Sequence, residues 1–218
     1  MNPLSGSSTS LTDEVFKELE QAILDGSFQA GDSLIETKLS KQLGVSRTPI
    51  REALRQLEHE ELVRTIPNKG AVVIGISIKD IEDMYTIRIA IEGLAAQWAA
   101  ESATPDRIAQ LREIVELQEF YSVKNEPVQI WQLDSRFHSL LYTICGSRIL
   151  KHTLGTFHNY VQKGRELSIS AEGRITALVA EHRAIYEAIV AHDSLKAKEL
   201  TEQHIINAQK SVMNKLKG

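Results

Sequence analysis

Three histidines and one aspartate occupy positions that helical periodicity brings to the inside of a bundle. Asp134 and His138 lie four residues apart and therefore share one helix face. His182 and His204 fall within the apolar stripes of two later predicted helices. A buried imidazole or carboxylate costs free energy unless it is partnered, and one divalent cation would partner all four side chains. The pattern therefore indicates a candidate metal site.

Imidazole nitrogens together with one carboxylate suit Zn²⁺, Ni²⁺, Mn²⁺ or Fe²⁺. Two alternatives remain open on these residues alone. In the first, no metal is present and the histidines hydrogen-bond to one another and to Asp134. In the second, the metal activates water, as in a metal-dependent hydrolase or isomerase. The second alternative is weaker, because no Asp or Glu other than these four residues has a sequence spacing that identifies it as a catalytic base.

An arginine interrupts the apolar series of the helix predicted around residue 88. The series consists of Ile81, Met84, Ile91, Ala95 and Trp98. A buried guanidinium needs a counter-charge. One interpretation is a structural ion pair between Arg88 and either Glu92 or Asp134, and the other is a two-pronged clamp on the carboxylate of an effector. Tyr142 and Asn159 are further candidates for the same effector pocket.

A second set of residues near position 50 has the chemistry of nucleic-acid recognition. Arg47 and Arg51 lie four residues apart, and the planar fork of arginine can donate two hydrogen bonds to O6 and N7 of guanine. Ser46, Thr48 and the free N–H groups of a first helical turn can hold phosphate oxygens. Lys69, in a predicted hairpin turn, would reach a neighbouring phosphate or the minor groove.

The distribution of charge supports this interpretation. The chain has 218 residues and a formal net charge of −4. Between Thr37 and Gln56, five basic side chains stand against Glu52 alone, a balance of +4 that leaves −8 for the rest of the chain. A solvated helix face is the plainer explanation of such a run. A compact basic patch on an acidic body is nevertheless typical of a module that touches phosphate at one place.

The elements that position the basic residues follow the order helix, helix, turn, helix and hairpin over residues 10–75. Ser10 and Asp13 form a capping box at the start of the first helix, and Ser46 is a favourable N-cap for the third. The predicted boundaries are 10–26, 36–43 and 46–60 for the helices, and 62–66 and 71–74 for the strands. This order predicts a winged helix-turn-helix domain.

From residue 77 onwards the apolar spacing is helical throughout, which predicts an all-α bundle. The six predicted helices cover about 78–101, 105–122, 127–144, 147–168, 174–191 and 194–215. The fold class is therefore mainly α, with an N-terminal winged helix-turn-helix and a C-terminal helical bundle. The predicted division is a disordered lead-in over 1–9, a DNA-binding domain over 10–75 and an effector- and metal-binding domain over 77–215.

Composition excludes several other classes of protein. Hydrophobic residues make up 42% and charged residues 25% of the chain, as in ordered globular proteins. The longest apolar run, Ala71–Ile76, is far shorter than the ~20 residues of a membrane helix, and the first residues lack the features of a secretory signal. Cys145 is the only cysteine, which excludes an internal disulfide. We therefore expect a cytoplasmic protein without a membrane segment.

The segment LSKQLGVSRTPIREALRQL, from Leu39 to Leu57, is followed by LVRTIPNKGAVV. Both segments resemble the DNA-binding domain of the GntR family of bacterial transcription regulators. The resemblance implies DNA contacts by Arg47, Thr48, Arg51, Lys69 and Gly70. Thr37 departs from the family pattern, because some members carry an arginine at this place.

Residues 77–215 resemble the FCD effector-binding domain of the FadR subfamily, in its six-helix VanR-like branch. The resemblance rests on Asp134-x-x-x-His138, on Glu181-His182-Arg183-Ala184-Ile185 and on His204. In metal-binding members the four corresponding positions are the ligands. The resemblance therefore implies one divalent metal ion per subunit, with Zn²⁺ as first choice and Ni²⁺, Mn²⁺ or Fe²⁺ as alternatives. It also implies a small organic acid whose carboxylate lies beside the metal.

The residues and the resemblance together predict a DNA-binding transcription regulator and not an enzyme. We expect a homodimer on a palindromic double-stranded operator, because a two-fold protein reads a two-fold site. We also expect it to respond to a metal ion and a small carboxylate, as a repressor that the acid releases. The alternative is a metal-dependent hydrolase or isomerase tethered to a DNA-binding module.

Overall fold

The computed structural model describes residues 10–67, 69–75, 77–156, 168–169 and 173–217. The chain divides into two compact units, and the division lies between Ser77 and Ile78. Among the described residues, every helix is too short or too polar to span a lipid bilayer.

The described part of the first unit combines helices with a small antiparallel sheet. In chain order its elements are α1 (Leu11–Leu24), β1 (Ser33–Leu34), α2 (Glu36–Leu43), α3 (Arg47–His59), β2 (Val63–Ile66) and β3 (Gly70–Val73). The strand order is β1-β3-β2, so that β3 lies in the middle. The predicted order of helices and hairpin is confirmed. Strand β1 was not predicted, because two residues are too few for an alternating pattern.

Local signals explain where the helices of this unit begin and end. The capping box of α1 is confirmed, since the Asp13 N–H donates to Ser10 Oγ at 3.2 Å and the Ser10 N–H donates to Asp13 Oδ2 at 3.1 Å. Gly44 ends α2 in the left-handed region, at φ 66°. Ser46 stands at the N-cap of α3, but its side chain makes no capping hydrogen bond within the described residues. Pro49, at the third helical position, lacks the backbone N–H that would donate a hydrogen bond to the Ser46 side chain.

One face of α3 forms the centre of the first unit's core. Apolar side chains from the other helices and the sheet surround that face. The fully or almost fully buried members of this core include Val15, Leu19, Leu34, Leu39, Ile50, Ala53, Leu57 and Val63. Because this packing fixes α3, it also fixes the direction of the exposed residues at its N-terminal end.

The second unit is helical throughout its described residues. Its elements are α4 (Ile78–Ser102), α5 (Pro105–Val123), α6 (Pro127–Ile144), α7 (Arg148–Thr156), α8 (Arg174–Val190) and α9 (Ser194–Lys217). These helices agree closely with the predicted ones. The predicted helix 147–168 is confirmed over α7, whereas residues 157–167 lie outside the described residues.

The bundle is built around α4, which packs against α6, α8 and α9. Its apolar core includes the fully buried side chains of Ala95, Ala99, Leu111, Val115, Phe137, Leu141, Ile185 and Ile189. Polar side chains that are almost completely buried interrupt the bundle interior. They include Arg88, Glu92, Gln118, Asp134, His138, His182 and His204. Since burying such groups without partners is costly, their mutual arrangement is the feature of this unit that needs an explanation.

Replacing Leu57 by alanine is expected to lower the free energy of unfolding of the first unit by about 2–5 kcal/mol, because the side chain is fully buried. Hydrogen exchange of α3 peptides in a urea series measures this change in the first unit alone. The matched control is Leu11→Ala, at a position that is 50% exposed, where we expect a change within about 0.5 kcal/mol. Equal effects of the two substitutions would contradict the described packing.

Candidate metal centre and nucleic-acid interface

Three helices bring the aspartate and the three histidines of the sequence pattern together. Helix α6 carries Asp134 and His138, α8 carries His182 and α9 carries His204. One possible ligand atom from each residue lies within 4.8 Å of the others, and all four side chains are buried. The structure therefore assembles the cluster that helical spacing alone predicts.

The atoms that face one another in this cluster are the Nε2 atoms of the imidazoles. His204 Nε2 lies 3.2 Å from His138 Nε2 and 3.4 Å from His182 Nε2. Asp134 Oδ1 lies 3.8 Å from His138 Nε2 and 3.6 Å from His182 Nε2. The ring of Phe137 stacks on His182, with centroids 3.9 Å apart, and fixes the plane of that imidazole.

An oxygen acceptor lies behind each imidazole, at its Nδ1 atom. Glu92 Oε2 is 2.7 Å from His138 Nδ1, and Gln118 Oε1 is 2.9 Å from His182 Nδ1. Glu181 Oε2 is 2.7 Å from His204 Nδ1. Because the oxygens of Gln118 and Glu181 can only accept, we assign the ring proton of His182 and His204 to Nδ1, which leaves Nε2 as a lone-pair donor in the neutral ring. The Glu92 carboxylate beside His138 favours a proton on Nδ1 there by its charge.

Two buried arginines hold the two carboxylates among these acceptors. Arg88 Nε donates to Glu92 Oε1 at 2.6 Å, and both side chains are 1% exposed. Arg88 therefore forms the structural ion pair with Glu92, one of the two partners that the sequence allowed. Arg174 Nη2 lies 2.8 Å from Glu181 Oε2. Burial raises the pKa of Glu181, but hydrogen bonds from His204 and Arg174 outweigh it and lower the pKa to about 2.

A small cavity adjoins the cluster. Its lining includes Arg88, Asp134, His138, Ser168, Arg174 and His204. Its volume is about 10 Å³, about the space that one water molecule needs. Tyr142 is half-buried near His138, with ring centroids 6.2 Å apart, but it is not among the described residues that line the cavity. Asn159 lies outside the described residues.

Sequence reasoning missed Gln118, Glu181 and Arg174 as parts of this site. Glu181 directly precedes His182 and was quoted only as part of a motif. Gln118 and His182 are separated by 64 positions along the chain, so that no local periodicity links them. Arg174 carried no signal, because it stands at the first position of α8 and not within an apolar stripe.

The residues predicted to contact DNA lie in the N-terminal part of α3 and in the hairpin. Ser46, Arg47, Thr48 and Lys69 are exposed, and the side chain of Arg51 is 48% exposed. Gly70 has φ 77°, and a Cβ atom there would meet Leu34 O at 3.3 Å. The left-handed backbone at this position favours glycine. These positions are compatible with contact to a duplex.

Both arginines of α3 contact one carboxylate from α2. Arg51 Nε and Nη2 donate to Glu36 Oε1 and Oε2 at 3.0 and 2.9 Å, and Arg47 Nη2 donates to Oε2 at 3.3 Å. The hydrogen bond from Arg51 lowers the pKa of Glu36, so this carboxylate is ionised at neutral pH. Sequence reasoning had counted the two arginines as free cations and had overlooked Glu36.

The first unit is a helix-turn-helix followed by a hairpin wing, and the second is a helical bundle with a buried polar cluster. This combination is typical of DNA-binding transcription regulators. Residues 11–73 match the family model for "Bacterial regulatory proteins, gntR family", and residues 83–207 match the model for the FCD domain. The chain belongs to the GntR family of transcription regulators and carries an FCD domain.

Curated relatives agree with this assignment. The chain is 30% identical over 194 residues to YdhC of Bacillus subtilis, an uncharacterized HTH-type transcriptional regulator, covering 88% of this chain and 85% of the relative. It is 26% identical over 199 residues to the HTH-type transcriptional repressor RspR of Escherichia coli, covering 91% of this chain and 87% of RspR. These families and relatives are transcription regulators and not enzymes.

The fold is also found in solved structures. Escherichia coli McbR/YncC superposes with a TM-score of 0.71 at 23% identity, covering 96% of this chain and 99% of that one. At this level of identity the similarity concerns the fold alone.

Replacing Glu92 by glutamine is expected to lower the free energy of unfolding of the second unit by about 3–5 kcal/mol, because Arg88 would stay buried without its counter-charge. Glu116→Gln is the matched control. It removes the acid of another i,i+4 pair, Arg112–Glu116, whose side chains are 57% and 60% exposed, so a change below about 1 kcal/mol is expected. Urea denaturation of both variants measures the difference, and an unchanged midpoint in the Glu92 variant would rule out a charged buried pair.

Proposed function

We propose that this transcription regulator responds to a divalent metal ion and a small carboxylate held together in its second unit. The observation that carries the proposal is the convergence of three imidazole Nε2 atoms, while oxygen acceptors hold Nδ1 of His182 and His204 and the Glu92 carboxylate lies 2.7 Å from Nδ1 of His138. In neutral rings this arrangement turns the Nε2 lone pairs towards one another. Such lone pairs repel unless a proton or a metal ion lies between them.

The identity of the four groups favours a metal ion over a proton. A single proton can be shared by only one pair of Nε2 atoms, whereas a divalent ion accepts all three nitrogens and an oxygen of Asp134. We propose one ion per subunit, with Zn²⁺ as first choice and Ni²⁺, Mn²⁺ or Fe²⁺ as alternatives. Its ligands would be Asp134, His138, His182 and His204.

A buried cationic donor in the cavity beside the cluster supports a carboxylate as effector. Because the cavity has room for about one water molecule, its walls must move apart when an acid binds. When bound, the metal ion supplies a Lewis-acidic centre for one carboxylate oxygen. Arg88 lines the same cavity, and among the described residues its Nη1 atom has no hydrogen-bond partner. A guanidinium donates charge-assisted hydrogen bonds to carboxylates. Tyr142 and Asn159 stay predictions as further effector contacts.

We propose that the N-terminal end of α3 reads the major groove, as recognition helices do. Arg47 and Arg51 would contact guanine edges, while Ser46 and Thr48 contact phosphates and Lys69 and Gly70 bring the wing to the duplex. The exposure of these residues supports this assignment.

Regulation would follow from a choice between two arrangements of a homodimer on a palindromic operator. An effector shifts such an equilibrium only if it binds one arrangement more tightly than the other. We propose repression that the acid releases, in the cytoplasm, where bacterial operators lie. RspR, a relative over nearly its whole length, is named a repressor.

Two alternatives deserve comparison. A metal-dependent hydrolase or isomerase is not favoured, because the matched families and relatives are transcription regulators. A metal-free cluster, in which one imidazolium shares its proton with a neighbouring ring, is compatible with the Nε2 distances. Measurement of the bound metal distinguishes this second alternative from the proposal.

The double variant His182→Ala, His204→Ala is expected to lose the bound metal, because it removes two of the four proposed ligands. Elemental analysis of protein dialysed against a metal-free buffer measures the stoichiometry, which should fall from about one ion per chain to near zero. The control is His152→Ala, since this exposed histidine stands outside the cluster. Metal retained equally by the double variant and the control would end the ligand assignment.

Arg47→Ala is expected to weaken binding to a selected operator by about 1–3 kcal/mol and to relax base choice at one position. Fluorescence anisotropy on an operator obtained by unbiased selection measures the loss. Arg107→Ala, an exposed arginine of the second unit, is the control and should leave the affinity unchanged. Equal losses on the operator and on random duplex would make Arg47 a phosphate contact instead of a base contact.

A further inference from the structure

The three groups behind the imidazoles are not chemically equal. Glu92 and Glu181 are carboxylates, each paired with a buried arginine, whereas the group behind His182 is the side-chain amide of Gln118. An ionised carboxylate can only accept a hydrogen bond, but an amide carries an acceptor oxygen and a donor NH₂ group. Of these three groups, Gln118 alone can therefore pair with either tautomer of a neutral imidazole.

The amide of Gln118 can turn over without losing a contact to another described residue. Its Oε1 atom lies 2.9 Å from His182 Nδ1. Its Nε2 atom is buried and has no hydrogen-bond partner among the described residues. A half-turn of the amide exchanges the oxygen and the nitrogen at almost the same two positions. The half-turn therefore gives up one hydrogen bond to Nδ1 and forms another in its place.

The half-turn decides which nitrogen of His182 carries the proton. With the amide oxygen at Nδ1, the proton is on Nδ1 and Nε2 presents its lone pair, as a metal ligand must. With the NH₂ group at Nδ1, the proton is on Nε2, which faces His204 Nε2 at 3.4 Å and Asp134 Oδ1 at 3.6 Å. Both forms of the ring are neutral. The exchange therefore adds no charge to the bundle interior.

A second neutral form of His182 lowers the cost of the cluster when no metal ion is bound. With every proton on Nδ1, the Nε2 lone pair of His204 faces those of His138 and His182 at 3.2 and 3.4 Å. A proton on His182 Nε2 replaces one of these two repulsive contacts by a hydrogen bond. The carboxylates behind His138 and His204 permit no equivalent exchange. An uncharged amide also raises the basicity of its imidazole less than a carboxylate does.

We propose that Gln118 is a positioning residue that makes the metal ion releasable, because its amide exchanges the two tautomers of His182. The inference rests on the proposed function, since it takes His182 as a metal ligand. The cluster then has one neutral arrangement of imidazoles that binds the ion and another that persists without it. Such a site binds and releases its ion reversibly, as a sensor of the metal requires, and does not hold it as a permanent structural element.

The first test locates the proton on His182 in the unsubstituted, full-length chain. Long-range proton–nitrogen correlation spectra of protein with labelled histidine distinguish the two tautomers of each ring, and His182→Asn assigns the signals of His182. We expect the proton on Nδ1 when Zn²⁺ is bound and on Nε2 after a chelator has removed the Zn²⁺. His204 is the internal control, because the carboxylate of Glu181 should keep its proton on Nδ1 in both states.

Gln118→Glu then assigns the exchange to its residue, because an ionised carboxylate cannot donate to Nδ1. We expect the zinc-free variant to keep a proton on His182 Nδ1. Its affinity for Zn²⁺, measured by competition with a chromophoric chelator, should rise about tenfold or more, the usual scale for groups hydrogen-bonded to metal ligands. The matched control is Gln110→Glu, the same substitution at an exposed position of α5, which should change neither the tautomer nor the affinity.

Each other outcome overturns a defined part of the proposal. A proton that stays on His182 Nδ1 in the zinc-free, unsubstituted chain overturns the inference and leaves the proposed metal site intact. The same exchange of tautomers in Gln118→Glu removes the role of the amide, and an unchanged affinity in that variant breaks the link between the tautomer and metal release. If the unsubstituted chain binds no Zn²⁺ in the competition experiment, the proposed metal response and the inference fall together.

Discussion

The orientation of three buried imidazole rings depends on the oxygen acceptors behind them. Glu92, Gln118 and Glu181 each face one Nδ1 atom at 2.7–2.9 Å, so that the Nε2 atoms turn towards a common point. Two of these acceptors come from α4 and α5, which carry none of the four candidate ligands. The packing of the whole bundle therefore sets the geometry of the cluster, because helices without ligands orient the rings of helices that have them.

The same contacts place several charges in a low-dielectric interior, which costs free energy. An arrangement that occurs twice reduces this cost. In each case an arginine pairs with a glutamate, and the same glutamate lies beside Nδ1 of a histidine. It occurs once through Arg88 and Glu92 and once through Arg174 and Glu181. Well-packed apolar residues would stabilise a bundle of this size at least as well. The network is therefore better explained by the specific site it creates than by a contribution to stability.

Helical periodicity predicted much of the fold and the four clustered residues, because Asp134 and His138 share a face and the remaining histidines lie in apolar stripes. It could not identify partners that meet only through tertiary packing. Gln118 lies 64 positions from the histidine it contacts, and Glu36 lies 15 positions from Arg51 on another helix. Ser46 is a different case, because the reason is local: it stands at the N-cap as predicted, but Pro49 lacks the N–H that would donate to its side chain.

The ion pairs of Glu36 have a consequence for how the protein would reject wrong sequences. In the free protein the donors of Arg51 and Arg47 already have an acceptor. In the proposed complex a base edge must compete with that carboxylate, and approaching phosphates meet a negative charge. A duplex without guanine at the contacted position supplies no acceptor that could replace the Glu36 carboxylate. Discrimination then comes partly from a penalty on unsuitable DNA and not only from attraction to the correct one.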